Sequence, residues 1–138
     1  IERAAEQGTP VGPVNGSNPV APGLAPWQVG ILNVIALRES GGDYSVLNGG
    51  QEHATDFSDH PRRVGAGGTT TAFGRYQFVE ETWDWMVERL AQRGIYIRDA
   101  SPVSQDLVGL EYADYVWRTS DQYNGRSLGD MLSSPNDA

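Results

Sequence analysis

Of the titratable residues in this chain, Glu39 occupies the most suggestive position. It closes an apolar periodic run and directly precedes Ser40, Gly41 and Gly42. An apolar stripe disfavours the charged form of a carboxylate, and the negative end of a helix does the same. A carboxyl group that keeps its proton near neutrality is a proton donor, the part that cleavage of a glycosidic bond requires. The same position also suits an ordinary exposed charge at a helix end, and position alone leaves both readings open. Asp43, Asp56 and Asp59 are the candidates for a second carboxylate. Such pairs stand about 5 Å apart in retaining glycosidases and about 6.5–9.5 Å apart in inverting ones. Thiol chemistry is excluded, because the chain has no cysteine. With His53 and His60 the only histidines, a typical zinc set is hard to assemble, and neither a metal nor an organic cofactor is expected.

The elements that must position these residues are mainly helical. From Pro26 to Glu39, the residues Trp27, Ile31, Val34 and Ile35 repeat at helical spacing and make one apolar face. Four residues beyond Ile35 that face reaches Glu39, on the rim of the buried stripe, and the two glycines end the helix. A second helical pattern runs from about Gln77 to Leu90 through Phe78, Trp83, Met86, Val87 and Leu90, with Gly94 as its break. At least one of Trp83 and Trp85 belongs to the core; the other is free to line a cleft. Ser101-Pro102 is an N-cap and first-turn pair. It opens a helix carrying Val103, Leu107, Leu110 and Val116, and Gly125 and Gly129 flank a short last segment. Between the first two helices, YSVL and HATDF surround a Gly49-Gly50 turn, and VGAGGTTTAF makes a loop with strand-like ends. The expected class is α+β: mainly helical, with a small β-sheet or hairpin between about Tyr44 and Phe73, beside the cleft.

The 138 residues suit one domain, and the formal net charge of -8 narrows its partners. An acidic protein gains nothing by neutralising phosphate, so neither nucleic acid nor an anionic membrane surface is an expected partner. No apolar run is long enough to span a bilayer, so membrane insertion is not expected either. Residues 8–26 contain five prolines and four glycines, which rules out a regular helix or central strand. Residues 1–26 are accordingly read as a linker or extended arm, with apolar residues able to dock, and residues 27–138 as the folded domain. The chain begins at Ile1, and the simplest reading is a part of a longer polypeptide.

Four segments carry a further signal in their order: ALRESGGDY, TDFSDHPRR, FGRYQFVEETWD and SPVSQD. Together, from about Ile31 to Leu110, they resemble the lambda-phage lysozyme family of peptidoglycan lytic transglycosylases. That family has a helix-terminal Glu, a YSDHPR-like segment, a GRYQ segment before aromatic helix residues, and an SPxSQD helix start. The resemblance implies a lysozyme-like fold. It implies Glu39 as the catalytic acid and Gln77 as the active-site glutamine, whose amide can both donate to and accept from a sugar. Tyr76 is implied as a sugar contact, although a core aromatic suits its position equally, and Ser40 as a residue that orients Glu39 or caps the turn. Asp59 and His60 are read as local supports, one holding a turn and the other hydrogen-bonded.

The implied activity is cleavage of the MurNAc-GlcNAc β-1,4 bond with one carboxylate and no water, leaving a 1,6-anhydro product. The implied partner is the peptidoglycan glycan strand, at the bacterial cell wall or periplasm. A hydrolytic muramidase with a second carboxylate is the alternative enzyme. A catalytically weak wall-binding module of a larger phage or secretion assembly is the alternative from another class. Family members continue past the point matching Ala138 with further helical structure, so the domain reads as shortened at its C-terminus.

Overall fold

A computed structural model describes residues 18–133. Four helices are defined among them: α1 over Pro26–Glu39, α2 over Glu80–Gln92, α3 over Pro102–Arg118 and α4 over Leu128–Ser133. α3 is central, packing against α1, α2 and α4, and α4 also rests on α1. The core between them holds Leu32, Ala36, Leu47, Phe73, Tyr76, Phe78, Trp83, Met86, Leu90, Ala100 and Val108.

The helix boundaries follow from local chemistry. Pro26 begins α1, where no backbone donor is needed, and the Gln28 side chain accepts from the Ala25 N–H at 2.7 Å. α2 starts at Glu80, later than the expected Gln77, because Gln77 has a left-handed backbone (φ 54°) and Val79 is extended. Ser101 caps α3 as expected by accepting from Ser104 N at 3.3 Å. α2 and α3 are further joined by buried Glu111, which receives Arg89 Nε at 3.0 Å and Arg93 Nη2 at 2.7 Å.

Two expectations need correction. The first concerns the apolar face of α1. Trp27, Ile31, Val34 and Ile35 are half-buried, and the enclosed residues are Leu32, Asn33 and Ala36. α1 packs against both α3 and α4, and its apolar residues spread around the helix rather than along one stripe. Counting four residues at a time from Leu32 through Ala36 reaches Ser40, not Glu39. Ser40 is therefore the residue turned inward, and Glu39 is exposed.

The second concerns the small sheet. Among the described residues it is reduced to three isolated antiparallel bridges: Val46 with His53, Leu47 with Phe73, and Phe73 with Phe78. Side chains take over where a ladder would continue. Asn48 Oδ1 accepts from Thr69 N at 2.8 Å and Thr70 N at 3.3 Å, and Thr71 Oγ1 accepts from Glu80 N at 3.0 Å.

Only part of the expected arm is described. Residues 1–17 of the expected 1–26 linker lie outside the described residues. In the remainder Ala21 is buried, and the Val20 and Ala21 amides donate to Asp106 Oδ2 at 2.7 and 2.9 Å. Packed structure thus begins before Trp27, because a buried carboxylate on α3 supplies the acceptors that this proline-interrupted backbone lacks in itself.

Candidate active site

The end of α1 and the turn that precedes α2 meet at one hydrogen bond. Ser40 Oγ donates to the Arg75 carbonyl at 2.6 Å and accepts from Gly42 N at 2.9 Å. This joins Glu39, one residue earlier, to the Gly74–Gln77 turn. Ser40 therefore acts on Glu39 by fixing the helix end. The Glu39 carboxylate is exposed and engages no partner among the described residues.

Gln77 is half-buried, and its Nε2 donates to Val46 O at 3.1 Å and Gly74 O at 2.9 Å. These bonds fix the amide's orientation and leave Oε1 as its acceptor for a ligand N–H or O–H. Tyr76 is placed otherwise than the resemblance implied. It is 3% exposed and its hydroxyl donates to Asp106 Oδ1 at 2.6 Å, which makes it a core residue beneath the site rather than a sugar contact. Burial, then the neighbouring Asp106 charge, pushes its phenol far above the ordinary range. Of the two tryptophans, Trp83 is in the core, whereas Trp85 is exposed, with its ring edge-on to Tyr115.

The other three candidate carboxylates are all occupied. Asp43 Oδ1 accepts from the Ser45 N–H and Oγ, each at 2.7 Å, and its Oδ2 lies 3.2 Å from His53 Nδ1. Asp56 accepts from Ser58 N at 2.9 Å, and that bond lowers its pKa. Asp59 accepts from His60 N at 2.8 Å and pairs with Arg62, which in turn binds Asp84 at 2.7 Å. No group of three or more His, Asp or Glu side chains arranged to hold a metal occurs among the described residues.

His60 has the supporting role read from its segment. Its Nε2 donates to the Phe78 carbonyl at 2.7 Å, and its Nδ1 accepts from Arg62 N at 2.9 Å. Both contacts fit the neutral ring, and burial lowers its pKa below the ordinary 6.5. Below pH 6.5 the unfolded chain therefore binds a proton that the folded chain refuses. The expected result is a thermal stability that is fully present above pH 6.5 and declines as pH falls toward the folded-state pKa. His60→Gln should be less stable overall but flat across that interval. Melting curves of both proteins at stepped pH check this, and an equal slope in the variant would assign the effect to another group.

Sequence reasoning missed the support under the turn. Arg75 is fully buried, with Nη1 donating to the Tyr76 hydroxyl at 2.7 Å and Nη2 to Asn33 Oδ1 at 2.6 Å. Gln105 Oε1 accepts from Arg75 N at 2.9 Å, and Gln105 Nε2 donates to the carbonyls of Tyr44 (3.1 Å) and Ala100 (2.9 Å). Gly74 leaves room for this, since a Cβ there would collide with Gln105 Oε1. The available signal was the SQD triplet at the start of α3, which was recognised as a segment but given no role.

Comparison with known proteins shows the family of the chain. The family model described as Endolysin matches residues 30–126. The endolysin of Escherichia phage lambda is 39% identical over 71 residues, covering 49% of this chain and 41% of that protein. The structure titled lysozyme from bacteriophage lambda superposes with a TM-score of 0.54 at 30% identity, covering 70% of this chain and 66% of that one. Bacteriophage lambda lysozyme complexed with a chitohexasaccharide gives 0.53 at the same identity and coverage. The chain thus spans less than two thirds of the length of each of these relatives.

Proposed function

The chain belongs to the endolysin family, and from that premise we propose that it cleaves the MurNAc-GlcNAc β-1,4 bond of peptidoglycan as a single-carboxylate lytic transglycosylase. The observation that carries the proposal is the contrast among four carboxylates. Asp43, Asp56 and Asp59 are engaged by neighbouring donors, whereas Glu39 is exposed, without an internal partner, at the end of a helix pinned by Ser40.

In the proposed reaction Glu39 donates its proton to the glycosidic oxygen as the C1–O bond breaks. The N-acetyl group of the same sugar assists by holding the developing positive charge at C1. The Glu39 carboxylate then removes the proton from that sugar's own 6-hydroxyl, whose oxygen bonds to C1. The product is a 1,6-anhydro ring, and Glu39 is reprotonated for the next cycle. An internal hydroxyl of high effective concentration takes the place of water, so no second carboxylate is needed. Gln77 Oε1 accepts from an N-acetyl N–H or a hydroxyl and aligns the sugar. The neighbour crystallised with a chitohexasaccharide supports a glycan chain as the ligand class. The place of action under this reading is the bacterial cell wall or periplasm.

Mass analysis of muropeptides after digestion of purified peptidoglycan tests the proposal. Anhydro-terminated fragments are expected. Reducing ends would instead mean that water enters and the enzyme is a muramidase. Binding to the wall without cleavage would make the chain an adhesion module.

A further inference from the structure

Asp106 has no part in the reaction above, yet it is completely buried and its carboxylate is satisfied on both oxygens. Oδ1 accepts from the hydroxyls of Tyr44 at 2.8 Å and Tyr76 at 2.6 Å. Oδ2 accepts from Val20 N at 2.7 Å and Ala21 N at 2.9 Å. A buried carboxylate is very costly unless hydrogen-bonded in this way, so its position is set by all four donors together.

The Tyr76 hydroxyl receives Arg75 Nη1 at 2.7 Å while donating to Asp106. The Arg75 N–H is held by Gln105, the residue beside Asp106, and the Arg75 carbonyl receives Ser40 Oγ. Two adjacent residues of α3 thus grip the Gly74–Gln77 turn, Gln105 by the Arg75 backbone and Asp106 by the Tyr76 side chain, to which the Arg75 guanidinium is bonded in turn. The end of α1, with Glu39, hangs from the outer side of the same turn.

We propose that Asp106 is a positioning residue for catalysis: through Tyr76 and Arg75 it sets the distance between Glu39 and Gln77. The inference rests on the reading of those two residues given above. A displacement of about 1 Å at a catalytic centre can cost about 10²-fold in rate. The left-handed backbone of Gln77 (φ 54°) is strained for a residue that is not glycine, so the turn depends on outside contacts to keep it.

Tyr76→Phe tests this with the least disturbance, since it keeps the ring in the core and removes only the hydroxyl. Asp106→Asn is the companion, and Glu111→Gln is the control, because it weakens another buried carboxylate of α3, one bonded to Arg89 and Arg93 of α2 and its end rather than to the Gly74–Gln77 turn. On purified peptidoglycan, below the melting temperature of every variant, Tyr76→Phe and Asp106→Asn should lower kcat by about 10–100-fold with little change in KM. Glu111→Gln should be destabilised but keep kcat near the wild-type value.

Amide hydrogen exchange supplies a readout that does not need catalysis. In Tyr76→Phe the Arg75 and Gln77 amides should accelerate by at least about 10-fold more than those of Met86 and Val108 in the helix cores. Uniform acceleration would overturn the proposal, and so would an unchanged kcat in Tyr76→Phe. If the wild-type chain cleaves no peptidoglycan, the proposed function fails by itself. Turn-selective exchange would then still support the mechanical link, and uniform exchange would still sink it.

Discussion

Glu39→Gln should bring wall cleavage down by at least about 10²–10⁴-fold, the usual contribution of a positioned proton donor. The amide keeps the size of the carboxyl group but cannot deliver a proton. Because the Glu39 side chain is exposed and engages no partner among the described residues, the substitution breaks no internal contact. Stability should therefore stay within about 0.5 kcal/mol of the wild-type value, as for an ordinary surface change. This separation of activity from stability is what makes the variant informative. The companion is Asp43→Asn, which disturbs the bonds to Ser45 and His53 but leaves the donor in place. It should keep substantial activity if one carboxylate does the work. Equal losses in the two variants on purified peptidoglycan would point to a two-carboxylate hydrolase. Full activity in Glu39→Gln would remove the site assignment altogether.

Gly74→Ala should do the opposite, taking stability and activity away together. Gly74 has φ 87°, in the left-handed region, where a Cβ costs about 1–2 kcal/mol. The added carbon would also displace Gln105 Oε1, which is the acceptor for the buried Arg75 N–H. Leaving that donor unpaired costs about 1–3 kcal/mol more. A total of about 2–5 kcal/mol corresponds to a fall of roughly 10–20 °C in melting temperature for a domain of this size. Gly50→Ala provides the comparison. Gly50 has a similar backbone (φ 76°) but open space where the Cβ would go, so only the conformational cost of about 1–2 kcal/mol should appear. Thermal melting of the two variants side by side separates backbone strain from collision, and equal losses would contradict the role given to Gln105.

Much of this organisation was legible from residue types. Ser101-Pro102 announced α3, Gly41 and Gly42 the end of α1, and the ordered segments the family. The acidic helix end at Glu39 was found, but which way it faced was not. Helical periodicity identifies a stripe most clearly when a helix has one packing neighbour, and α1 packs against two, α3 and α4. Tyr76 was ambiguous for a related reason: a tyrosine beside a candidate site can offer its ring to a ligand or its hydroxyl to a buried acid, and only the position of Asp106 decides. That position involves contacts across 85 and 86 residues of sequence, to Ala21 and Val20, and no local pattern encodes so distant a pairing. The strand formers around Gly49 were real, but strand propensity does not reveal that Asn48 and Thr71 side chains would replace a ladder.

Those distant contacts also bear on how the domain comes into being. Glu39 and Gln77 are synthesised well before Gln105 and Asp106, the residues that grip the turn between them. Until α3 has emerged and returned to the segment at Val20 and Ala21, the chain carries every proposed catalytic group without the frame that fixes their spacing. Long loops must close before such contacts contribute, so this step comes late and is slow relative to helix formation. A nascent or truncated chain lacking α3 would therefore hold the residues of the proposed site without the frame that spaces them, and that frame arrives with the docking of one helix.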